Sequence, residues 1–396
     1  MPKNILVLTP RLPYPLIGGD KLRIFNICDF LYENDYRLTL VSFVQNKNEA
    51  EIAKNHEAHK IFAKVLTVRM SKYRSYLHSI LGSLAARPLQ LGYFWSKEMR
   101  ELVLKEISTG EYDTVLLHLI RMAPYVIGKK LRKVLEMTDA ISLNYSRSRG
   151  KKKIASFGWL LGFEEKRVRR YEKRCLKEFE VVIVASHVDK DYLSNLDKRS
   201  ASKIFVVPNG VSEEFINIVP AKYDLDLIIF IGNLRSYQNQ DAVFYFLGEI
   251  YPLIKREVPS VKYRIIGAAP PLKLLRCNGK NGIEVTGEVD NIISYAEQAA
   301  VSVAPIRVGA GIQNKVLESM ALGVPVVTTS VAAEGLPHAK PGEHFLVCDT
   351  PKEFADAVCR VLKDKSCREK LSSNGKNLVM DHYRWPRCLG KYLEIV

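Results

Sequence analysis

An α/β protein of two consecutive doubly wound units is expected from this chain. Its 396 residues exceed what one ordinary core holds, so about two domains are anticipated. Short apolar runs alternate with amphipathic stretches through both halves, the pattern of strands joined by helical crossovers into parallel sheets. The alternation pauses once, in VVPNGVSEEF at 206–215, and then starts again.

In chain order, the first half opens on a buried strand at 5–8. The turn-rich TPRLPYPLIGGD follows, and then a helix whose apolar face is Ile24, Ile27, Phe30 and Leu31. Further strands are expected at 38–44, 115–119, 133–137 and 181–185, and Val168, Tyr171, Cys175 and Phe179 fit one face of a helix. In the second half, strands are expected at 227–231, 262–267, 283–286, 300–305 and 324–328. Helices are expected at 241–254, stopped by Pro259, and at 315–322. The domains are thus an N-terminal unit, 1–212, and a C-terminal unit, 213–380. In the terminal segment 381–396, Tyr383, Trp385, Leu389, Tyr392 and Leu393 are spaced for a helix that packs back on the first unit.

Composition narrows the function classes. With 47% hydrophobic and 26% charged residues the chain reads as folded and globular. Seven cysteines, an odd number without a C-x-x-C pair, argue against a disulfide framework or a zinc site. The start, MPKNILVLTP, lacks the features of a signal peptide, and no apolar run approaches the ~18 residues of a spanning helix, so a cytoplasmic protein is expected. The net charge is +16, and residues 1–215 hold 37 of the 59 Lys and Arg against 24 of the 43 Asp and Glu, a net of +13 that leaves +3 for the rest. A basic first half suits nucleic acid, an anionic membrane surface or a phosphorylated substrate.

In doubly wound sheets, ligands sit beyond the carboxyl ends of the strands. Gly18 and Gly19, before a helix with Asp20 at its cap, allow a close phosphate approach, although a simple turn accounts for a lone glycine pair equally well. Gly232, Gly267 and Gly287 each follow a strand and converge on one sheet edge, with Arg235 in the first of these loops. The most informative stretch is RVGAGIQNKVLE. Gly309 and Gly311 free the backbone, Arg307 and Lys315 supply positive charge, and the helix beginning near Gln313 turns its free N–H groups toward the loop, which together make a diphosphate cradle. Glu318, in the first turns of that helix, can accept two hydroxyl hydrogen bonds of a ribose, or can simply complement the helix dipole.

These blocks, from NILVLTPRLPYPLIGGDKLR through VVPNGV, IFIGNL, IIGAAPP, VTGEVDN and VAPIRVGAGIQNKVLESMALGVPVVTT to HYRW, resemble the retaining GT-B glycosyltransferases of the bacterial group 1 class, especially exopolysaccharide-associated sugar transferases. The resemblance covers nearly the whole chain and is strongest over 301–329. It implies two Rossmann-like domains facing a central cleft, and a nucleotide-diphosphate sugar as co-substrate with no further cofactor and no metal. The implied acceptor is a glycan or a polyprenyl-diphosphate-linked sugar. It also places Asn233 in a phosphate-contacting loop and Thr286, Gly287 and Val289 at the base, and makes Ile312, Gln313 and Asn314 part of the donor loop. Glu318 matches the second Glu of the family's E-x7-E motif, whereas the first falls on Ala310, and the usual Arg and Lys after the first strand of the second unit fall on Asn233 and Gln238. Catalysis would then rest on charge stabilisation of the leaving diphosphate by Lys315 and Arg235. His118 would lie near the transferred sugar, with Asp139 a second candidate, although a lone histidine at a strand end is as readily structural. Asp224-Leu225-Asp226 has the D-x-D form of metal-dependent transferases but precedes a strand, where solvated acids are the better reading.

The first half also carries Lys129, Lys130, Arg132 and Lys133. Further on, Lys151–Lys153 and KRVRRYEKR flank an apolar patch of Phe157, Trp159, Leu160, Leu161 and Phe163. That arrangement suits shallow insertion into an anionic leaflet, so peripheral attachment at the inner face of the plasma membrane is expected. The rival readings are an epimerase-like GT-B sugar-nucleotide enzyme and a non-catalytic basic binding protein. No nucleic-acid module is present, and no nucleic-acid partner is expected.

Overall fold

The first seven strands are all parallel, because each is a short apolar run whose crossover is helical. They are β1 (Asn4–Thr9), β2 (Arg37–Val44), β3 (Phe62–Arg69), β4 (Thr114–His118), β5 (Lys133–Thr138), β6 (Val181–Val184) and β7 (Ile204–Val206). They lie in the order β3-β2-β1-β4-β5-β6-β7. The strand order reverses between β1 and β4, which opens a crevice at their carboxyl ends. The computed structural model describes residues 3–15, 18–55, 60–84, 86–149, 158–218, 223–309 and 311–396. Lys151–Lys153, Phe157 and Ala310 lie outside the described residues, as does the Trp159 side chain.

The second sheet contains β8 (Asp224–Ile231), β9 (Lys262–Ile266), β10 (Ile283–Gly287), β11 (Ala299–Ala304), β12 (Val326–Thr328) and β13 (Leu346–Val347). It is again parallel, in the order β10-β9-β8-β11-β12-β13, with its reversal between β8 and β11. Two parallel-sheet, Rossmann-like α/β domains result. Strands buried on both faces explain the continuous apolar runs; in β4, β6 and β11 every residue is buried.

The chain divides into two compact units, Met1–Val207 with Leu389–Val396, and Pro208–Cys388. The first unit therefore ends five residues earlier than position 212, and the return to it begins at Leu389 rather than at 381. Within the first unit, the carbonyls of Val396 and Ile395 accept from Lys3 Nζ at 2.9 Å and Arg132 Nη2 at 2.9 Å. Tyr383 and Trp385 belong to the second unit, where the Val211 N–H donates to the Tyr383 carbonyl at 2.7 Å.

The helix expected at 241–254 begins earlier, at Tyr237, and continues to Glu257 through a π turn at Phe246–Ile250. Pro252 has no N–H to donate to the preceding turn, and the wider turn accommodates that loss. The pair Asp224 and Asp226 sits at the amino end of β8, opposite the edge bearing Gly232, with Lys262 Nζ 3.2 Å from Asp224 and Ser260 Oγ 2.8 Å from Asp226.

Candidate active site

In the second unit, the carboxyl ends of adjacent strands are stitched into one surface. The Gly232 N–H donates to the Ile266 carbonyl at 2.9 Å, the Gly267 N–H to Gly287 at 3.1 Å, and the Leu234 N–H to Ala268 at 2.9 Å. Gly267 has no room for a side chain, since a Cβ there would stand 2.0 Å from the Gly232 carbonyl oxygen. Thr286 turns its hydroxyl onto the Gly287 carbonyl at 2.9 Å, and Val289 packs against the small apolar cluster that includes Ile231 and Ile266. The three strand-end glycines thus keep the backbone bare along this edge.

The loop leaving β11 reaches the same switch point. Gly311 takes φ +76°, a left-handed conformation that lets the chain turn sharply into the helix Asn314–Ala321. Gln313 stands at the N-cap without a side-chain cap bond, and Ile312 packs partly buried against the core. Asn314 is fixed by Asn209, whose amide donates to Asn314 Oδ1 at 2.7 Å. Through this contact the VVPNGV stretch anchors the start of the helix.

Lys315 and Glu318 are half-buried. Lys315 Nζ donates to Gln313 Oε1 at 3.1 Å and lies 5.7 Å from the centre of the Phe230 ring. Burial pushes its pKa down to about 8, against the pull of Glu318. Burial likewise pushes the Glu318 carboxyl up to about 7, partly opposed by Lys315 and reinforced by Glu214. Among the described residues no side chain hydrogen-bonds the Glu318 carboxyl. An ammonium on the first turn of the helix and a carboxyl on the next, with no hydrogen-bond partner among the described residues, suit one ligand that carries phosphate at one end and hydroxyls at the other.

The remaining cations differ. Arg307 commits its fork to Asp241, with Nε 3.0 Å from Oδ2 and Nη2 2.7 Å from Oδ1, and stacks 4.1 Å from the Tyr245 ring centre. Arg235 is exposed; its backbone N–H donates to Asn233 Oδ1 at 3.0 Å, and among the described residues its side chain has no ion pair. Gly309 lies 3.5 Å from the Gln313 amide when a Cβ is placed on it. Lys315 and Arg235 are thus the cations at this edge without an ion pair to an acidic side chain among the described residues.

The first unit holds its own buried polar network. His118, the last residue of β4, is the register partner of Glu136 on β5. Its Nδ1 is 2.8 Å from Glu136 Oε2, and the other oxygen of Glu136 takes Arg23 Nε at 2.8 Å. Burial alone would raise the Glu136 pKa, but Arg23 and then His118 outweigh it and hold it at about 2. An ionised carboxylate only accepts, so Nδ1 carries the proton that bridges to Glu136. The ring's Nε2 is buried and has no hydrogen-bond partner among the described residues. Gly18, at φ +105°, caps the helix Gly19–Glu33 that delivers Arg23, and Asp20 on its first turn pairs with Arg11 at 3.1 Å. Asp139 accepts from Asn144 at 2.9 Å, and burial together with Asp189 pushes it up to about 7. Sequence reasoning missed Glu136 and Arg23, although a carboxylate inside the apolar strand KVLEMT is itself a signal of a buried partner.

Residues 226–364 match the family model described as "Glycosyl transferases group 1". The match supports a group 1 glycosyltransferase. The matched region contains the strand-end glycines, the loop at 305–313 and the helix bearing Lys315 and Glu318. Over nearly its whole length the chain is similar to an "uncharacterized 44.6 kDa protein in cps region" of Klebsiella pneumoniae, 23% identical with 96% of each chain covered. An "uncharacterized glycosyltransferase" of Methanocaldococcus jannaschii is 25% identical, covering 76% of this chain and 80% of its own length. Among solved structures, Anabaena HepE in complex with UDP and glucose superposes with a TM-score of 0.67 at 14% identity over 98% of each chain. A Staphylococcus aureus TarM variant with Fondaparinux, alpha-GlcNAc-glycerol and UDP gives 0.71 at 12% over 99% of each. Sucrose-phosphate synthase of Thermosynechococcus elongatus gives 0.74 at 14% over 99% of this chain and 98% of its own. At these identities the structural likeness speaks for the fold, and the glycosyltransferase fold it identifies is GT-B.

Proposed function

We propose that this glycosyltransferase moves a sugar from a nucleoside-diphosphate donor, with retention, to a glycan or polyprenyl-diphosphate-linked acceptor during surface polysaccharide synthesis. The observation that carries the reading is the edge of the second sheet, where bare glycine backbone, an uncapped helix start, Lys315 and the half-buried Glu318 meet. There the donor's diphosphate lies against Lys315, Arg235 and the N–H groups of the helix start, and its ribose hydroxyls donate to Glu318. Negative charge that builds on the departing diphosphate is met by these fixed groups, without a divalent cation. His118, held in orientation by Glu136, takes a sugar hydroxyl through Nε2. The UDP complexes of HepE and TarM and the cps-region relative support the donor class and the pathway. The exposed Leu160 and Phe163, beside the basic helix Gly158–Glu178, support attachment to an anionic membrane surface.

Thermal unfolding with UDP, GDP, ADP, dTDP and CMP tests the reading. A nucleotide at roughly 100 times its dissociation constant stabilises the fold by about 2.7 kcal/mol. One diphosphate stabilises the wild type and fails with Lys315→Ala and Glu318→Ala. If none stabilises the wild type, the donor site is misassigned. Transfer that stops in EDTA would reject the metal-free mechanism.

A further inference from the structure

The first unit contains a cavity of about 860 Å³ between the helices Lys72–Leu84, Leu89–Tyr93 and Gly158–Glu178 and the turn Ile120–Tyr125. Five arginines line it: Arg87, Arg100, Arg167, Arg170 and Arg174. None of the residues that line it is acidic. Arg167 is tied to Ser83 and stands 3.7 Å from Glu164, whereas Arg87, Arg100, Arg170 and Arg174 form no ion pair among the described residues. Positions 167, 170, 171 and 174 are one face of a helix, so the wall they make, three guanidinium groups around Tyr171, faces the cavity as a unit. An ordinary solvated helix face intersperses charges of both signs. Here like charges converge from two sides on a half-open pocket, with Arg87, Arg100, Arg170 and Arg174 exposed at its walls, a concentration of positive potential that favours an anion.

The opposite wall is apolar at its outer edge. The helix Lys72–Leu84 lends His78 and Leu81 to the cavity and leaves Tyr73, Tyr76, Leu77 and Ile80 as an exposed stripe at i, i+3, i+4 and i+7. Tyr73 is 80% exposed and Ile80 62%. A soluble anion would need the arginines but not this stripe. We propose that the cavity takes the phosphate head group of an anionic membrane phospholipid, with the helix Lys72–Leu84 lying shallowly in the leaflet. This deepens the membrane attachment proposed above by naming a head-group site away from the strand ends, and it rests on that reading.

Flotation of the full chain with phosphatidylcholine vesicles, with and without added phosphatidylglycerol, is the test. The wild type floats only with the anionic vesicles. Arg170→Gln with Arg174→Gln, and separately Tyr76→Ser with Ile80→Ser, lower the partition coefficient at least about tenfold, the scale of one or two basic contacts at a membrane. Lys129→Gln with Lys130→Gln, which removes the same charge from an exposed segment outside the cavity, lowers it less than about threefold. Unfolding midpoints of all variants are read alongside, and the midpoint shift with nucleoside diphosphate stays as in the wild type. That second readout separates failure here from failure of the donor site. An equal loss in the lysine control, wild-type flotation by the arginine pair, or wild-type flotation with both vesicles or neither overturns the proposal.

Discussion

Glu136 and His118 face each other across adjacent parallel strands, with Nδ1 of the ring 2.8 Å from the carboxylate that Arg23 holds on its other side. All three side chains are buried. Glu136→Gln leaves Arg23 as a buried charge without its ionised partner, and we expect a loss of about 3–5 kcal/mol in urea denaturation at neutral pH. The sign with pH follows from a folded pKa of about 2 against the ordinary 4.5. The stability that Glu136 contributes is complete above 4.5 and is lost as pH falls toward 2, so the gap between wild type and Glu136→Gln narrows on acidification.

Glu318 titrates in the opposite sense. Its folded value of about 7 lies above the ordinary 4.5, so the stability it contributes is complete below 4.5 and is lost as pH rises through 7. Glu318→Gln removes that slope from the ligand-free protein's unfolding midpoint. Nucleotide affinity behaves conversely, falling below about pH 7 as the carboxyl protonates, and the fall is absent in Glu318→Gln.

Arg307 is engaged by Asp241 through two hydrogen bonds. Arg307→Lys loses the two-point contact and costs roughly 1–3 kcal/mol of stability. Its nucleotide dissociation constant, measured by calorimetry, changes less than about threefold, whereas Lys315→Ala raises it more than about tenfold. A large affinity loss in Arg307→Lys would return Arg307 to the phosphate site.

Gly267→Ala forces the β9 turn away from the Gly232 carbonyl, so both stability and nucleotide binding fall. Gly128, at φ +79° with open space around its Cβ position, is the control, and Gly128→Ala costs only about 1 kcal/mol. Chemical denaturation of the two variants, with and without nucleotide, separates backbone strain from the clash.

Local pattern made the second unit's site legible. Glycines after apolar runs, and a Gly-x-Gly before an amphipathic helix, are read within a short window of sequence. The network of His118, Glu136 and Arg23 spans 113 residues, from the first helix to the fifth strand, and becomes visible only with the order β1-β4-β5. Strand β3 escaped the sequence pattern because it carries Lys64, Thr67 and Arg69 and lies at the sheet edge, where alternation is weak. The pairing of Arg307 with Asp241 escaped the sequence for a related reason, since the partner lies 66 residues away on a helix.

The closing segment Leu389–Val396 has a consequence for synthesis. Tyr392 is buried beside Arg23 and Glu136, and the last carbonyls receive Lys3 and Arg132, so a layer over the first unit arrives after the whole second unit has been made. During translation the emerging first unit waits, with a buried ion pair uncovered, until residues about 180 positions downstream leave the ribosome. Its maturation is therefore timed by the other unit, and a nascent chain arrested after position 388 would hold two folded sheets and one unfinished interior.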